Sequence, residues 1–169
     1  MNSNRLTISM IVMHDKNYAI GKDNEIILNL ESHKVFVENT VKNSAVIMGK
    51  ETYKHVYNNF DDSVEIIVVS DDDELHDGDH IHCFDNIDDA MYFAEVLRVS
   101  DVFILGGESI FEQYFHLVDY VYVTYIDMDL FGNKFFNNDI SEREFELEES
   151  QSIVEKYIDV VRSKYKRIN

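Results

Sequence analysis

The fold is decided by the stretch Val102-Phe103-Ile104-Leu105-Gly106-Gly107-Glu108-Ser109-Ile110-Phe111. An apolar run ends in two glycines and continues with the pattern of a helix, which predicts a buried strand, a tight turn and a helix N-terminus. A helix N-terminus presents unpaired backbone N–H groups and a positive dipole, so it attracts phosphate. Glycine lets the backbone approach such a ligand without a Cβ in the way.

A second stretch has the same pattern, Val46-Ile47-Met48-Gly49-Lys50-Glu51-Thr52-Tyr53. It also predicts a buried strand that leaves through a glycine into a helix. Two such turns in one small chain predict that a nucleotide diphosphate is held between them.

Predicted strands and helices alternate along the chain. Strands are predicted at residues 7–13, 45–48, 65–69, 80–84, 102–105 and 120–127, with a final antiparallel pair at 145–149 and 157–166. Helices are predicted at residues 31–42, 50–57, 88–97 and 109–115. Such alternation implies parallel strands with helical crossovers on both faces. We therefore expect a single α/β domain over residues 1–169, with a mostly parallel, eight-stranded twisted sheet and about four flanking helices.

The charge of the chain excludes some partners. The net charge is −18, and residues 55–97 contain 13 Asp and Glu but no Lys or Arg. Such a surface repels nucleic acid and anionic membranes, so neither is an expected partner. The charge favours solubility, with a basic protein partner as the alternative. No apolar run approaches the roughly 18 residues that span a bilayer, and residues 1–5 lack the apolar core of a signal peptide, so we expect a cytoplasmic protein.

The single cysteine, Cys83, excludes an internal disulfide. It follows His80 and His82 in a short run that alternates like a strand. Alternation places both histidines on one face and the thiol on the other, which favours a plain strand over a metal site. No metal is expected.

Two further segments extend the pattern, Ala19-Ile20-Gly21-Lys22-Asp23-Asn24 upstream and Val121-Tyr122-Val123-Thr124-Tyr125-Ile126-Asp127 downstream. In their order, and nearly in their spacing, the four segments resemble the dihydrofolate reductase family. The likeness runs from about Ile8 to Phe136. It implies the fold of that family and a reductase that passes a hydride from a nicotinamide cofactor, NADPH or NADH, to a C=N bond of a pterin or folate substrate.

The resemblance also implies which residues bind the cofactor. The pyrophosphate and the nicotinamide end would be contacted by Gly106, Gly107, Ser109, Ile110 and Phe111, and the family has a cis peptide bond between the paired glycines. The other phosphates would be contacted by Gly49, Lys50 and Thr52. Ile20 and Gly21 correspond to the loop that covers the nicotinamide.

At the adenosine end, the family places basic and hydroxyl side chains around the 2′-phosphate of NADPH. Here Ser70 is followed by four acidic residues, at positions 71–74, and Lys50 is the only basic residue that the motifs place in reach. A phosphate beside several carboxylates is disfavoured, whereas a carboxylate accepts a hydrogen bond from a free ribose 2′-hydroxyl. We therefore predict that NADPH is not strongly preferred over NADH.

The family has a carboxylate in the first helix that supports protonation of the pterin, and this chain has no acid at the matching position. An ungapped alignment of the glycine motifs places His33 there, and an alignment anchored on Phe36 and Thr40 places Ser32 there. Thr124 matches the threonine that supports the acid. Because a Ser or a neutral His accepts at one atom and a carboxylate accepts two charge-assisted bonds, we expect weaker substrate binding and slower hydride transfer. With an ordinary pKa near 6.5, His33 is either a proton donor or a residue of the helix surface.

The substrate site departs from the family in a second place. The family holds the folate glutamate with an Arg just before the third strand, where residues 61–65 of this chain include no basic residue. The apolar part of the pocket is matched better, by Ile11, Val12, Leu28, Phe36, Val56, Phe60 and Leu105. Each of these is also an ordinary core residue.

The leading interpretation is a nicotinamide-dependent reductase of dihydrofolate or a related pterin, with weakened or altered activity. The alternatives are a reductase of another heterocycle and a non-catalytic binding or structural protein. An intact cofactor site beside a changed substrate site favours a reductase of another heterocycle. Loss of both sites favours a non-catalytic protein.

Overall fold

The apolar runs of the sequence form one large sheet. The computed structural model describes residues 5–168. The large sheet contains β1 (Thr7–His14), β4 (Ala45–Gly49), β5 (Glu65–Val69), β6 (Ile81–Phe84), β7 (Asp101–Gly106), β8 (Tyr120–Ile126), β10 (Phe145–Glu155) and β11 (Ile158–Arg167). A small second sheet contains β2 (Ala19–Lys22), β3 (Glu25–Ile26) and β9 (Lys134–Phe135). The helices are α1 (Glu31–Thr40), α2 (Lys50–Val56), α3 (Ile87–Val96) and α4 (Glu108–Tyr114).

The strand order places the two glycine turns next to each other at the carboxyl ends of the central strands of the large sheet. This order is β10-β11-β8-β1-β7-β4-β5-β6. The strands from β8 to β6 are parallel, and β11 runs antiparallel to both β8 and β10. Because β1, β7 and β4 are parallel neighbours, their carboxyl ends lie side by side, where open α/β sheets bind their ligands. The mostly parallel eight-stranded sheet and the four helices confirm the predicted fold class.

Two apolar cores cover the two faces of the large sheet. Met10 and Val12 belong to the core under α3 and α4. Ile11 and Met48 belong to the core on the face that carries α1 and α2. Successive residues of a strand point to opposite faces, so Ile11 and Val12 are buried on different sides of the sheet.

Two segments differ from the sequence-based expectation. Residues 16–29 lie outside the strands and helices predicted from the sequence, but they contain β2 and β3, and β2 also pairs with β9. β10 continues to Glu155 rather than ending near residue 149, because it pairs with β11 along its whole length. These segments are short or polar, so pairing with a partner strand and not apolar patterning makes them strands.

His80 and His82 both contact Glu65 of the neighbouring strand. His80 Nδ1 lies 3.1 Å from Glu65 Oε1, and His82 Nε2 lies 2.7 Å from Glu65 Oε2. The hydrogen bond to Glu65 raises the pKa of His80 above its ordinary value. Within residues 5–168, no three His, Cys, Asp or Glu side chains are grouped as metal ligands. The same residues include no helix that is both long and apolar enough to cross a membrane.

Candidate active site

The two glycine turns form one cradle at the carboxyl ends of β4 and β7. Gly49 precedes the first turn of α2, and Gly107 precedes that of α4. A Cβ on Gly49 would lie 3.8 Å from both the Gly106 carbonyl and the Gly107 nitrogen, and a Cβ on Gly107 would lie 3.9 Å from Thr52 Oγ1. The turns therefore lie against each other, and side chains at the glycines would fill the space between them.

Gly106 has a backbone conformation that only glycine adopts readily. Its φ is +109°, and a Cβ would lie 2.8 Å from the Phe111 ring. The peptide bond from Gly106 to Gly107 is cis, as the resemblance implies. Ile110 and Phe111 are buried in the first turns of α4, while Ser109 Oγ accepts a hydrogen bond from Gln113 at 2.8 Å.

At the far side of this cradle, Lys50 is paired with the acidic segment. Lys50 Nζ lies 2.5 Å from Asp72 Oδ2. The Asp72 N–H donates to Ser70 Oγ at 3.1 Å, which turns the segment towards the lysine. The hydrogen bond between them raises the pKa of Lys50 and lowers the pKa of Asp72. The positive charge that the sequence places near the adenosine end is therefore already neutralised.

A cavity of about 450 Å³ opens beside the cradle, between α1, α2 and the ends of β1 and β7. Its lining includes predicted substrate residues and predicted cofactor residues together: Ile11, Leu28, Val56, Phe60, Leu105, His33, Ile20, Thr52, Gly107 and Phe111. Its rim adds charged side chains that the sequence analysis missed, among them Lys34, Glu38 and His55. One continuous space therefore connects the glycine turns to the first helix.

Four of the predicted catalytic and substrate residues lie outside this cavity lining: Val12, Phe36, Ser32 and Thr124. Val12 faces the other core. Phe36 packs beneath the guanidinium of Arg162, which lies 4.2 Å from the ring centroid. Ser32 is turned towards the C-terminal strands, where its N–H donates to Glu155 Oε1 at 2.9 Å. A larger open depression of about 700 Å³, under residues 134–140, includes none of the predicted site residues in its lining.

His33 is the residue of α1 that meets Thr124. Its Nδ1 lies 2.9 Å from Thr124 Oγ1. Burial and, to a smaller extent, the positive charge of Arg162 together lower the pKa of His33 to about 4. The imidazole is therefore neutral near pH 7. Glu31, the first residue of α1, is exposed and does not line the cavity.

Asp15, which the sequence analysis did not single out, anchors the segment that leads to Ile20 and Gly21. Its fully buried carboxylate accepts hydrogen bonds from Asn17 N–H and Ala19 N–H at 2.9 and 2.8 Å. Its other oxygen accepts from Leu130 N–H at 2.8 Å. Its position directly after the first apolar strand is the sequence feature from which Asp15 could have been predicted as a functional residue.

Comparison with known proteins identifies the family of this chain. The sequence model of the dihydrofolate reductase family matches residues 7–167. The dihydrofolate reductase of Staphylococcus haemolyticus is 34% identical over 132 residues, which cover 78% of this chain and 76% of the relative. The chain belongs to the dihydrofolate reductase family. A dihydrofolate reductase of Staphylococcus aureus is 25% identical over 167 residues, 94% of this chain and 100% of the relative.

A solved structure shows the same fold at low identity. Dihydrofolate reductase from Enterococcus faecalis, complexed with NADP(H) and RAB-propyl, superposes with a TM-score of 0.82 at 17% identity, covering 96% of this chain and 97% of the other. Family membership confirms the predicted enzyme class, an NAD(P)H-dependent oxidoreductase of the dihydrofolate reductase type. The roles of individual residues stay predictions.

Proposed function

We propose that this protein reduces dihydrofolate, or a related pterin, with reduced activity because a neutral histidine replaces the carboxylate of the family. The observation that carries the proposal is the single cavity that joins the glycine cradle to His33. A cofactor on the cradle and a pterin against α1 would share this space. Family membership supports the reaction type.

The cradle fits the diphosphate of a nicotinamide dinucleotide. The absence of Cβ atoms at Gly49, Gly106 and Gly107 leaves the backbone open to close approach. Gly49, Lys50 and Thr52 would hold one part of the cofactor. The rest would be held by Gly106, Gly107, Ser109, Ile110, Phe111, Ser70, Ile20 and Gly21. When bound, the nicotinamide supplies the hydride.

His33 would bind the pterin as a neutral group. Its Nδ1 is engaged by Thr124, and Nε2 makes no hydrogen bond within residues 5–168. With a pKa of about 4, only about one molecule in a thousand carries imidazolium at pH 7. This favours positioning of the pterin by one hydrogen bond over proton donation by His33. A carboxylate would offer two bonds, each charge-assisted, which is the physical reason for the reduced activity.

We further propose that the protein uses NADH and NADPH without strong discrimination. Lys50 can stabilise a 2′-phosphate only if it leaves Asp72, and the phosphate would then stand beside an unpaired carboxylate. A free ribose 2′-hydroxyl carries no such cost.

A reductase of another heterocycle is the second candidate. It is favoured by His33 at the position of the acid and by the absence of basic residues in 61–65. Lys34, on the cavity rim and 3.9 Å from Glu38, is the lysine in reach of a substrate carboxylate.

One experiment separates these functions. The protein is titrated with NADH, NADPH and dihydrofolate, and hydride transfer is followed by stopped-flow absorbance. Binding of nucleotide and turnover of dihydrofolate support the proposal. Nucleotide binding without turnover favours another heterocycle. No nucleotide binding at millimolar concentration favours a non-catalytic protein.

A further inference from the structure

Two charged side chains of the C-terminal strands hold the peptide groups beside His33. Glu155, at the end of β10, accepts a hydrogen bond from Ser32 N–H at 2.9 Å. Arg162, in β11, donates from Nη2 to the Ser32 carbonyl at 3.1 Å. Arg162 is also the ladder partner of Thr124, the residue that contacts His33. Ser32 is therefore held on both sides by residues 123 and 130 positions away.

The first turn of α1 has no cap of its own. The residue that precedes the helix, Leu30, has no side-chain oxygen and makes no capping bond. The N–H groups of a first turn are normally satisfied by a Ser, Thr, Asp or Asn side chain at that position. Glu155 replaces such a cap from another strand, and its negative charge suits the positive end of the helix dipole. The start of α1 is thus fixed by the strand pair β10–β11.

Arg162 adds a second fixed point, one turn further along α1. Its guanidinium lies over the Phe36 ring at 4.2 Å from the centroid, a favourable cation–π contact for a half-buried arginine. With the bond to the Ser32 carbonyl, this contact holds the helix face that carries His33 against β8 and β11.

We propose that Arg162 and Glu155 are positioning residues for the candidate active site: they fix the first turn of α1 so that His33 stays against Thr124. The consequence for catalysis rests on the proposed function. The geometry and the charge of His33 are independent of it.

The charged groups on the elements around His33 are few. Arg162 from β11 and Glu155 from β10 contact the first turn of α1, β8 contributes the uncharged Thr124, and α1 itself carries Glu31, Lys34 and Glu38. Glu25 and His55 line the same cavity as His33. Burial lowers the pKa of His33 first, and the positive charge of Arg162 lowers it further. Removal of that charge should therefore make imidazolium easier to form. A lysine at position 162 retains the positive charge, so it should not have this effect.

The test follows the His33 imidazole by NMR between pH 5 and 8 in the ligand-free protein. The variants are Arg162→Met, Arg162→Lys and, as a matched control, Lys164→Met. Lys164 is two positions further along the same face of β11 and also lies over an aromatic ring, 4.7 Å from the Tyr120 centroid. We expect Arg162→Met to raise the pKa of His33 above that of the parent, which is measured as a larger fraction of imidazolium at pH 5. Arg162→Lys and Lys164→Met should keep the imidazole neutral there.

An imidazole that stays neutral in Arg162→Met, or an equal rise in Lys164→Met, would overturn the proposal. If Arg162→Met does not fold, the Glu155→Ala variant tests the proposal. In this variant the Ser32 amide should exchange with solvent at least about tenfold faster than in the parent, whereas the exposed control Glu149→Ala should leave the exchange rate unchanged. An unchanged exchange rate in Glu155→Ala would overturn the capping role. If these shifts occur but no form of the protein reduces dihydrofolate, the positioning role stands and the proposed function fails.

Discussion

Replacing His33 by aspartate should raise kcat/KM for dihydrofolate. His33 Nδ1 lies 2.9 Å from Thr124 Oγ1 in the cavity wall. An aspartate Oδ1 is the same number of bonds from Cβ as Nδ1, so the contact with Thr124 can be kept. The positive charge of Arg162, which disfavours imidazolium at this place, favours a carboxylate.

The size of the gain follows from the hydrogen bonds. A carboxylate accepts two charge-assisted bonds where a neutral imidazole accepts one, and such a bond contributes about 1.5–3 kcal/mol. Since about 1.36 kcal/mol is a factor of ten, one added bond in the transition state predicts a gain of roughly 10- to 150-fold.

The assay is the steady-state rate of cofactor oxidation with dihydrofolate at pH 7, with nucleotide affinity measured by fluorescence titration. Ser32→Asp is the matched control, because it adds the same charge one position earlier, outside the cavity and beside Glu155. It should give no gain. The reasoning is refuted if His33→Asp binds nucleotide like the parent and gains nothing, or if Ser32→Asp gains as much.

Three other measurements test the electrostatics of the site. Asp72→Asn should free Lys50 and increase the preference for NADPH over NADH at least about tenfold, while the parent preference stays below about 100-fold, or roughly 2.7 kcal/mol. The same affinity ratio in both proteins by fluorescence titration would contradict this. Diaminopyrimidine inhibitors bind the family as cations paired with the acid of the first helix. They should bind this protein at least about 3 kcal/mol more weakly than they bind a site that contains this acid. A nanomolar inhibition constant would show that an acid reaches the site. Because the pKa of His33 is lowered to about 4 in the folded protein, the unfolded chain binds the His33 proton more tightly. The contribution of His33 to the free energy of unfolding therefore rises with pH between about 4 and 6.5. Between pH 7 and pH 5 the parent should lose about 2 kcal/mol more than His33→Gln in urea unfolding, and equal losses would show that His33 is not held neutral.

Much of this fold could be predicted because its buried strands are continuous apolar runs with glycine exits. β4 and β7 and the turns after them depend on local sequence, so their positions were found to within one residue. β2, β3 and β9 are too short to show an apolar pattern: β2 and β3 form a hairpin of a few residues, and β9 is defined only by its pairing with the distant β2. The cap of α3, in contrast, is a local feature of the sequence, since the Asn86 side chain accepts a hydrogen bond from Asp89 N–H, three residues away.

The start of α1 shows what local sequence leaves undetermined in the site. One residue of shift rotates a side chain by about 100° around a helix, so Ser32 and His33 are alternatives that α1 alone does not separate. In the structure, Glu155 and Arg162 bind the peptide groups of Ser32 and thereby direct His33 to Thr124. The pairing of Lys50 with Asp72 is likewise a contact between separate turns. The sequence shows the charges of the two residues but not that they form an ion pair.

The anchoring of α1 by β10 and β11 has a consequence during synthesis on the ribosome. The helix emerges early, but the two side chains that hold its first turn follow 123 and 130 positions later. These contacts can form only after Glu155 and Arg162 have been synthesised, near the end of the chain. A nascent chain can therefore pair β1, β4 and β7 and assemble the glycine cradle while the histidine side of the cavity is still unformed. Nucleotides can stabilise such an intermediate, whereas ligands of the α1 side should act only on the finished protein.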